Sequence, residues 1–338
     1  MAYGTVNADV IQTSTAGGIL GAGNASIMKN RIINGAMVIN QRAFSGTPNN
    51  QYTLDRWSTE NSQTGKFTVA QSSTAPAGFT NSLLVTSSSA YTVLTGDYFA
   101  LFQNIEGYNT ADLAWGTASA KTVTLSFQIY SSLTGTFGGA LSNSSGNRSY
   151  PFTYTVSSAN TWTSISVTIA GDTSGTWGTT NGIGIQVQFG LGVGSTYSGT
   201  AGSWAGTLYV SATGATSVVG TSGTTFYITG VQLEVGSSAT GFEYRQYQQE
   251  LALCQRYYWQ PPVNSNGFYG SLYDSSATRS IINIFPKVTM RTTPTTTATY
   301  GSGTANSTWA STDLITLYVS VAGSGVSYIT AFSASSEL

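Results

Sequence analysis

The 338 residues predict an all-β protein: a jelly-roll β-sandwich with an extended N-terminal arm, one helix near residues 242–259 and a small C-terminal β module. Three observations carry that expectation. Apolar residues recur at every second position in many short runs, which is the period of a half-buried strand. Clusters of Gly, Ser, Asn and Thr separate the runs, as turns would. Only one segment combines helical spacing with freedom from Gly and Pro.

Residues 1–30 are small, polar and rich in glycine, with Gly17, Gly18, Gly21 and Gly23 close together. Such a stretch has nothing to build a core from, and is expected to be an extended arm that orders on a partner, or else a disordered tail. From Asn30 the strand signals begin. Arg31 to Arg42 reads as β-rich with a break at Asn34-Gly35, where a backbone position with φ > 0 is expected. Tyr52 to Trp57, Lys66 to Ala70, Ser82 to Thr86 and Tyr98 to Gln103 follow. The clearest alternation runs from Thr122 to Tyr130, and the same period returns at Tyr150–Val156, Thr163–Ile169 and Gly184–Phe189. Thr207–Val210 and Thr225–Glu234 complete roughly ten short strands, the pattern of a sandwich or jelly roll spanning 31–260.

Phe242 to Trp259 breaks the alternation. Tyr247, Leu251, Cys254 and Tyr258 fall at i, i+4, i+7 and i+11, one face of a helix that Pro261-Pro262 would stop. That face either closes one end of the sandwich or packs between subunits, with Arg245 and Arg256 paired to Glu243 and Glu250 of neighbouring copies. Residues 261–338 return to short strands at Gly267–Tyr273, Arg279–Phe285, Leu314–Ser320 and Val326–Phe332. Thr292–Tyr300 is expected to be loop or edge strand, because Pro294 cannot donate to a central ladder.

Composition narrows the function. Hydrophobic residues make up 40% of the chain and aromatics 12%, enough for a real core and against disorder. Only 7% of residues are charged, against ~25% in typical soluble domains, so a neutral polar surface must keep the chain in solution. A formal charge of −1 gives no electrostatic case for nucleic acid or an anionic membrane. The absence of His removes the commonest general base and zinc ligand. One cysteine, Cys254, allows no internal disulfide, and no cofactor or metal motif is present. No apolar stretch of about 18 residues offers a membrane span, and residues 1–20 lack a secretory signal pattern.

Candidate chemistry is correspondingly thin. The carboxylates that lie close in sequence are Asp55 with Glu60, Asp97 with Glu106, and Glu234 with Glu243, and nothing beyond proximity marks them as a hydrolytic pair. No catalytic residue is assigned. Asp55 and Arg56, beside Trp57, are expected to form a structural ion pair that pins a strand to the core. Three aromatics sit in Gly/Ser-rich surroundings that cannot bury a ring locally: Trp177, Tyr197 and Trp204. Each either inserts into a core or interface, or stands exposed; as a group they are the candidates for stacking against sugar rings.

Three sets of motifs carry a family resemblance. Asn30-Arg31-Ile32-Ile33-Asn34-Gly35 with Ile39-Asn40-Gln41-Arg42, then Tyr52-Thr53-Leu54-Asp55-Arg56-Trp57, resembles the opening of phage tail-fibre and virion-associated β domains. Val231-Gln232-Leu233-Glu234-Val235-Gly236, with Phe242-Glu243 and Glu250 to Tyr258, is similar to the closing of the same domain; Phe285-Pro286, Met290-Arg291 and Pro294 resemble the start of its C-terminal module. The resemblance implies a jelly roll similar to carbohydrate-binding modules, carried on a virus particle. It implies a tail-fibre or receptor-binding subunit that is attached to other virion proteins through the N-terminal arm, assembles as a homotrimer and recognises host surface polysaccharide. A capsid-surface decoration protein is the alternative, and a capsule depolymerase a distant one.

Overall fold

A computed structural model describes residues 28–261, 279–321 and 327–338, together with the backbone of Ile11–Gln12, Ile19–Leu20, Phe268–Tyr269 and Ser271–Leu272. The arm expected over residues 1–30 otherwise lies outside the described residues.

Eleven strands form two facing antiparallel sheets. In chain order they are β1 (Ser45–Gly46), β2 (Ser58–Asn61), β3 (Phe67–Ser72), β4 (Ser82–Ser87), β5 (Tyr98–Glu106), β6 (Val123–Ser131), β7 (Gly135–Ser142), β8 (Ser149–Val156), β9 (Thr163–Ile169), β10 (Ile183–Val193) and β11 (Thr225–Val235). One sheet has the order β8-β7-β10-β5-β2 and the other β9-β6-β11-β4-β3-β1. The chain passes back and forth between them, making a jelly-roll β-sandwich whose core is one continuous apolar cluster. Period-2 alternation explains which side chains enter it. Val123, Leu125, Phe127 and Ile129 of β6 face Ile185, Val187, Phe189 and Leu191 of β10 across the interior.

β11 departs from simple alternation. Phe226 and Ile228 are inward, but so are Val231 and Leu233, because the register against β6 shifts between Thr229 and Gln232. Gly230, at φ +62°, supplies the bulge that moves the inward set from even to odd positions.

The stretch Arg31–Arg42, expected to be β-rich, is not a strand. It folds as turns, with φ +57° at Asn34 and +58° at Met37. The expected left-handed position is therefore Asn34 itself; Gly35 is needed because a Cβ there would lie 2.2 Å from the Val231 carbonyl oxygen. Side chains replace the missing ladder. The Gln103 amide accepts from Ile33 N–H and donates to its carbonyl (2.8 and 2.9 Å), and the Asn34 amide bridges Ile39 and Asp55 main chain. Trp57 Nε1–H donates to the Asn34 carbonyl at 3.0 Å. Thr207–Val210, also expected as a strand, contributes none; Ser211–Ala212 instead pairs in parallel with Ser198–Gly199.

The helix is shorter than expected. α1 spans Tyr247–Gln255, and Phe242–Gln246 is extended chain. Tyr258–Trp259 forms β12, the first strand of the C-terminal sheets. The remaining strands are β13 (Phe268–Tyr269), β14 (Ser271–Leu272), β15 (Arg279–Ile284), β16 (Thr295–Ser302), β17 (Thr304–Ala310), β18 (Ile315–Ser320) and β19 (Tyr328–Ser335). β19 pairs with β12, β13 and β16, while β14-β15-β18-β17 form the second sheet. A separate apolar cluster of Trp259, Ile282, Ile284, Ile315, Leu317, Ile329 and Phe332 lies between them. Pro294 immediately precedes β16, which among the described residues pairs only with β19, an edge position where a proline is tolerated.

Polar contacts join these parts. Arg291 donates to the carbonyls of Asn181 (2.7 Å), Ser336 (2.7 Å) and Glu337 (2.9 Å). Glu337 reaches back to Arg42 at 2.9 Å and to the fully buried Arg56. This corrects the expected Asp55–Arg56 pair. The two residues lie in one tight turn, with Arg56 at φ +68°, and point to different partners. Asp55 accepts from the backbone and side-chain nitrogens of Gln41 at 2.7 and 2.6 Å, with Arg42 at 3.9 Å. Arg56 lies 3.6 Å over the Tyr257 ring and Arg42 3.6 Å over that of Tyr258.

Candidate functional site

Strand periodicity places a set of polar side chains on the outer face of the five-stranded sheet. Odd positions of β10 fill the core, so Gln186 and Gln188 point outward. Across β5, Gln186 pairs with Asn104 and Gln188 with Phe102; across β7, they pair with Ser142 and Ala140. On β2, Ser58 stands opposite Phe102 and Glu60 opposite Ala100. The segment 194–212 crosses part of this face and packs Tyr197 and Val210 on Ala100 and Phe102. At the other end, Leu338 covers Asn104, whose Nδ2 donates to a Leu338 main-chain oxygen at 3.1 Å.

Between these two covers an open cavity of about 130 Å³ remains, lined by Glu60, Tyr98, Phe102, Gln186, Gln188, Tyr197, Leu208 and Val210. It is smaller than the ~300–1,000 Å³ of clefts that engulf a drug-sized ligand, and suits contact with one ring of a larger molecule. Tyr98 and Tyr197 meet edge to face with centroids 5.2 Å apart.

The amides are held in place before any ligand arrives. Gln188 Nε2 donates to Ser142 Oγ at 2.6 Å, Ser142 Oγ donates to Gln186 Oε1 at 3.3 Å, and Gln186 Nε2 donates to Asn104 Oδ1 at 2.9 Å. Gln188 is fully buried, yet its Oε1 has no hydrogen-bond partner. Leaving a buried acceptor unpaired costs about 1–3 kcal/mol. Glu60 is the second unused acceptor. Among the described residues it is the only carboxylate engaged in no hydrogen bond or salt bridge. Burial pushes its pKa up, and its charge adds to the burial that raises the Tyr98 phenol.

Of the three aromatics expected to face a glycan, only Tyr197 reaches this pocket. Trp177 is 9% exposed and packs edge to face on Trp115 (4.7 Å) and Trp204 (5.4 Å), its Nε1–H donating to the Ser174 carbonyl. Half-buried Trp204 packs on Tyr150 at 5.2 Å and donates to the Ala170 carbonyl. Their small flanks let the rings turn inward, so they plug one corner of the sandwich, where Trp115 and Trp177 also border a separate cavity of about 200 Å³. Glu60 was weighed from sequence only as a hydrolytic partner of Asp55, and Tyr98, Gln186 and Gln188 were not singled out. The available signal was the alternating pair of glutamines in Gly184–Phe189, amides on the solvent side of a strand whose other side is apolar.

The helix face also separates. Cys254 is buried and its thiol pKa is raised well above the ordinary value by burial; Leu251 is half-buried; Tyr247 is 58% exposed; and Tyr258 belongs to β12. The cations expected to reach neighbouring copies are satisfied within the chain. Arg245 meets Glu243 at 3.5 Å and Glu250 at 3.3 Å, and Arg256 meets Glu106 at 2.6 Å. The other carboxylates weighed for hydrolysis are likewise engaged. Asp97 accepts from Tyr91, Ser62 and Leu94 N–H, Glu234 from Thr240 and Gln232, and Glu243 from the backbone of Met28 and Asn30. Among the described residues, no group of three His, Cys, Asp or Glu side chains is placed to hold a metal ion, and no helix is long and apolar enough to cross a membrane.

No protein-family model matches the chain, and no curated protein sequence does. Solved structures do. The tailspike protein 4 enzymatically active domain of bacteriophage CBA120 matches over 62% of this chain at 12% identity and a TM-score of 0.34; the match spans 22% of that domain's length. A family 11 carbohydrate-binding module from Clostridium thermocellum, solved with a mixed-linked β-1,3-1,4 tetrasaccharide, matches over 59% of this chain and 99% of its own, at 15% identity and a TM-score of 0.31. A family 22 carbohydrate-binding module of the same organism covers 60% and 99%, at 14% identity and a TM-score of 0.31.

Proposed function

We propose that this chain is a non-enzymatic adhesion component of a bacteriophage virion, a tail-fibre or receptor-binding subunit that recognises host surface glycans. The observation that carries the glycan reading is the pocket between β2, β5, β10 and the segment 194–212. It combines a fixed row of amides, two tyrosines and the unengaged carboxylate of Glu60. Sugars are recognised by such a set: planar groups border the ring, and oriented acceptors and donors bond its hydroxyls. The engagement of nearly every described carboxylate in internal contacts supports a binding role over a hydrolytic one. The assignment to a phage particle is supported by the resemblance of the Asn30–Trp57 and Val231–Tyr258 motifs, and includes attachment through residues 1–30 and assembly as a homotrimer.

A glycan array probed with the purified chain tests the binding reading. Binding to surface polysaccharides is expected, with Tyr98→Ala and Gln188→Leu each reducing it at least tenfold while far-ultraviolet circular dichroism is unchanged. An array without a single bound glycan, together with no inhibition of phage adsorption by the chain, would overturn it. Gold labelling of intact particles then separates tail from capsid, and light scattering reads the subunit number directly.

A further inference from the structure

We infer that the pocket on the outer face of the five-stranded sheet takes an uncharged sugar residue and rejects acidic ones, with Glu60 as the discriminating group. The inference rests on the glycan-binding reading and adds the class of sugar. Its basis is the charge of the lining. Glu60 offers two carboxylate oxygens that the protein does not use, while neither Lys nor Arg lines the cavity. The Gln186 and Gln188 amide nitrogens each donate one hydrogen, to Asn104 and Ser142, and keep one. The lining therefore offers a neutral hexose a carboxylate acceptor with amides and phenols beside it, and offers no charge to balance an anion.

An acidic sugar meets the opposite conditions. A uronate carboxylate or a sulfate or phosphate ester places a second anion beside Glu60 in a partly desolvated site. The titratable groups facing Glu60 here are the Tyr98 and Tyr197 phenols, which supply no positive charge. Burial shifts the Glu60 carboxyl upward, in keeping with that geometry. Two unit charges about 5 Å apart in such surroundings repel by enough to weaken binding well over tenfold.

The test is a panel of neutral gluco-, galacto- and manno-oligosaccharides, each beside its C6-oxidised uronate counterpart of the same linkage, with Kd read by titration at pH 7. The wild-type chain is expected to prefer at least one neutral member over its uronate partner by tenfold or more. Glu60→Gln, whose folding is checked by its melting curve, is expected to narrow that ratio at least fivefold. Equal or tighter binding of the uronates, or a ratio unchanged in Glu60→Gln, would overturn the inference while leaving glycan binding intact. Binding of neither series, on the panel and on whole host polysaccharide, would overturn the glycan reading and the inference with it.

Discussion

Glu337→Gln tests how the last residues hold the molecule together. The Glu337 carboxylate is 7% exposed and sits between Arg42 at 2.9 Å and Arg56, which is 1% exposed. Burial acts to lower the Arg56 pKa, but the Glu337 charge together with Tyr52, Tyr257 and Cys254 outweighs it and the net shift is upward. Removing one partner of a buried ion pair costs about 3–5 kcal/mol, because the other charge is left uncompensated. Arg56 would keep its hydrogen bond to the Asn104 carbonyl and its stacking on Tyr257, so the lower end, about 3 kcal/mol, is expected. At roughly 2–4 °C per kcal/mol, the melting temperature should fall by about 6–12 °C. The assay is urea and thermal melting of the wild type, Glu337→Gln, Arg56→Met and the double variant. If the pair acts as a unit, the double variant loses at least about 2 kcal/mol less than the sum of the singles. Additivity within about 0.5 kcal/mol would refute the pairing.

Other outcomes follow from the same contacts. Burial raises the Glu60 carboxyl, so its contribution to stability is greatest below its unfolded pKa of about 4.3 and is lost as pH rises through the folded value. Glu60→Gln should therefore melt above the wild type at pH 7 and lose that advantage near pH 4; an equal gap at both pH values would contradict the assignment. Glu106 has the opposite sign. Burial raises its pKa, but hydrogen bonds from Arg256 and Tyr257 prevail and hold it below the ordinary value. Its contribution is present above the unfolded pKa and lost as pH falls through the folded one, so Glu106→Gln should flatten the acid limb of the stability curve. Trp177→Ala should cost about 3–5 kcal/mol in urea melting and leave glycan Kd values within twofold, since the ring faces the core and not the pocket.

The sandwich was legible because most of its strands keep one face apolar, and alternation reports that directly. What was not legible has identifiable causes. β7 reads Gly-Thr-Phe-Gly-Gly-Ala-Leu-Ser, and its glycines look like turn signals. They serve packing instead: a Cβ at Gly139 would lie 2.3 Å from the Gln188 carbonyl oxygen, directly under the site. Arg31–Arg42 has strand composition, but its backbone is satisfied by Gln103, Arg245 and Glu250, residues 70 to 216 positions away in sequence. Composition cannot announce such partners. The pocket is a similar case, since Glu60 and Gln188 acquire meaning only when β2 and β10 come to flank β5.

Sparse charge sharpens that last point. In a chain with 13 acidic residues, nearly every described carboxylate is occupied, often by a partner far along the sequence: Arg256 with Glu106 across 150 positions, Arg56 with Glu337 across 281. These long-range pairs specify which segments meet, because a misdocked alternative would leave a charge buried and alone. A carboxylate that is half-buried, raised in pKa by burial and engaged by nothing runs against that pattern. Glu60 costs the empty protein stability, and no contact within the described residues compensates. Buried atoms without a partner occur in several places, Gln188 Oε1 and the Tyr154 hydroxyl among them, so they single out no site. An uncompensated carboxylate lining a cavity, in a molecule that engages its other described carboxylates, is the observation on which the proposed binding role rests.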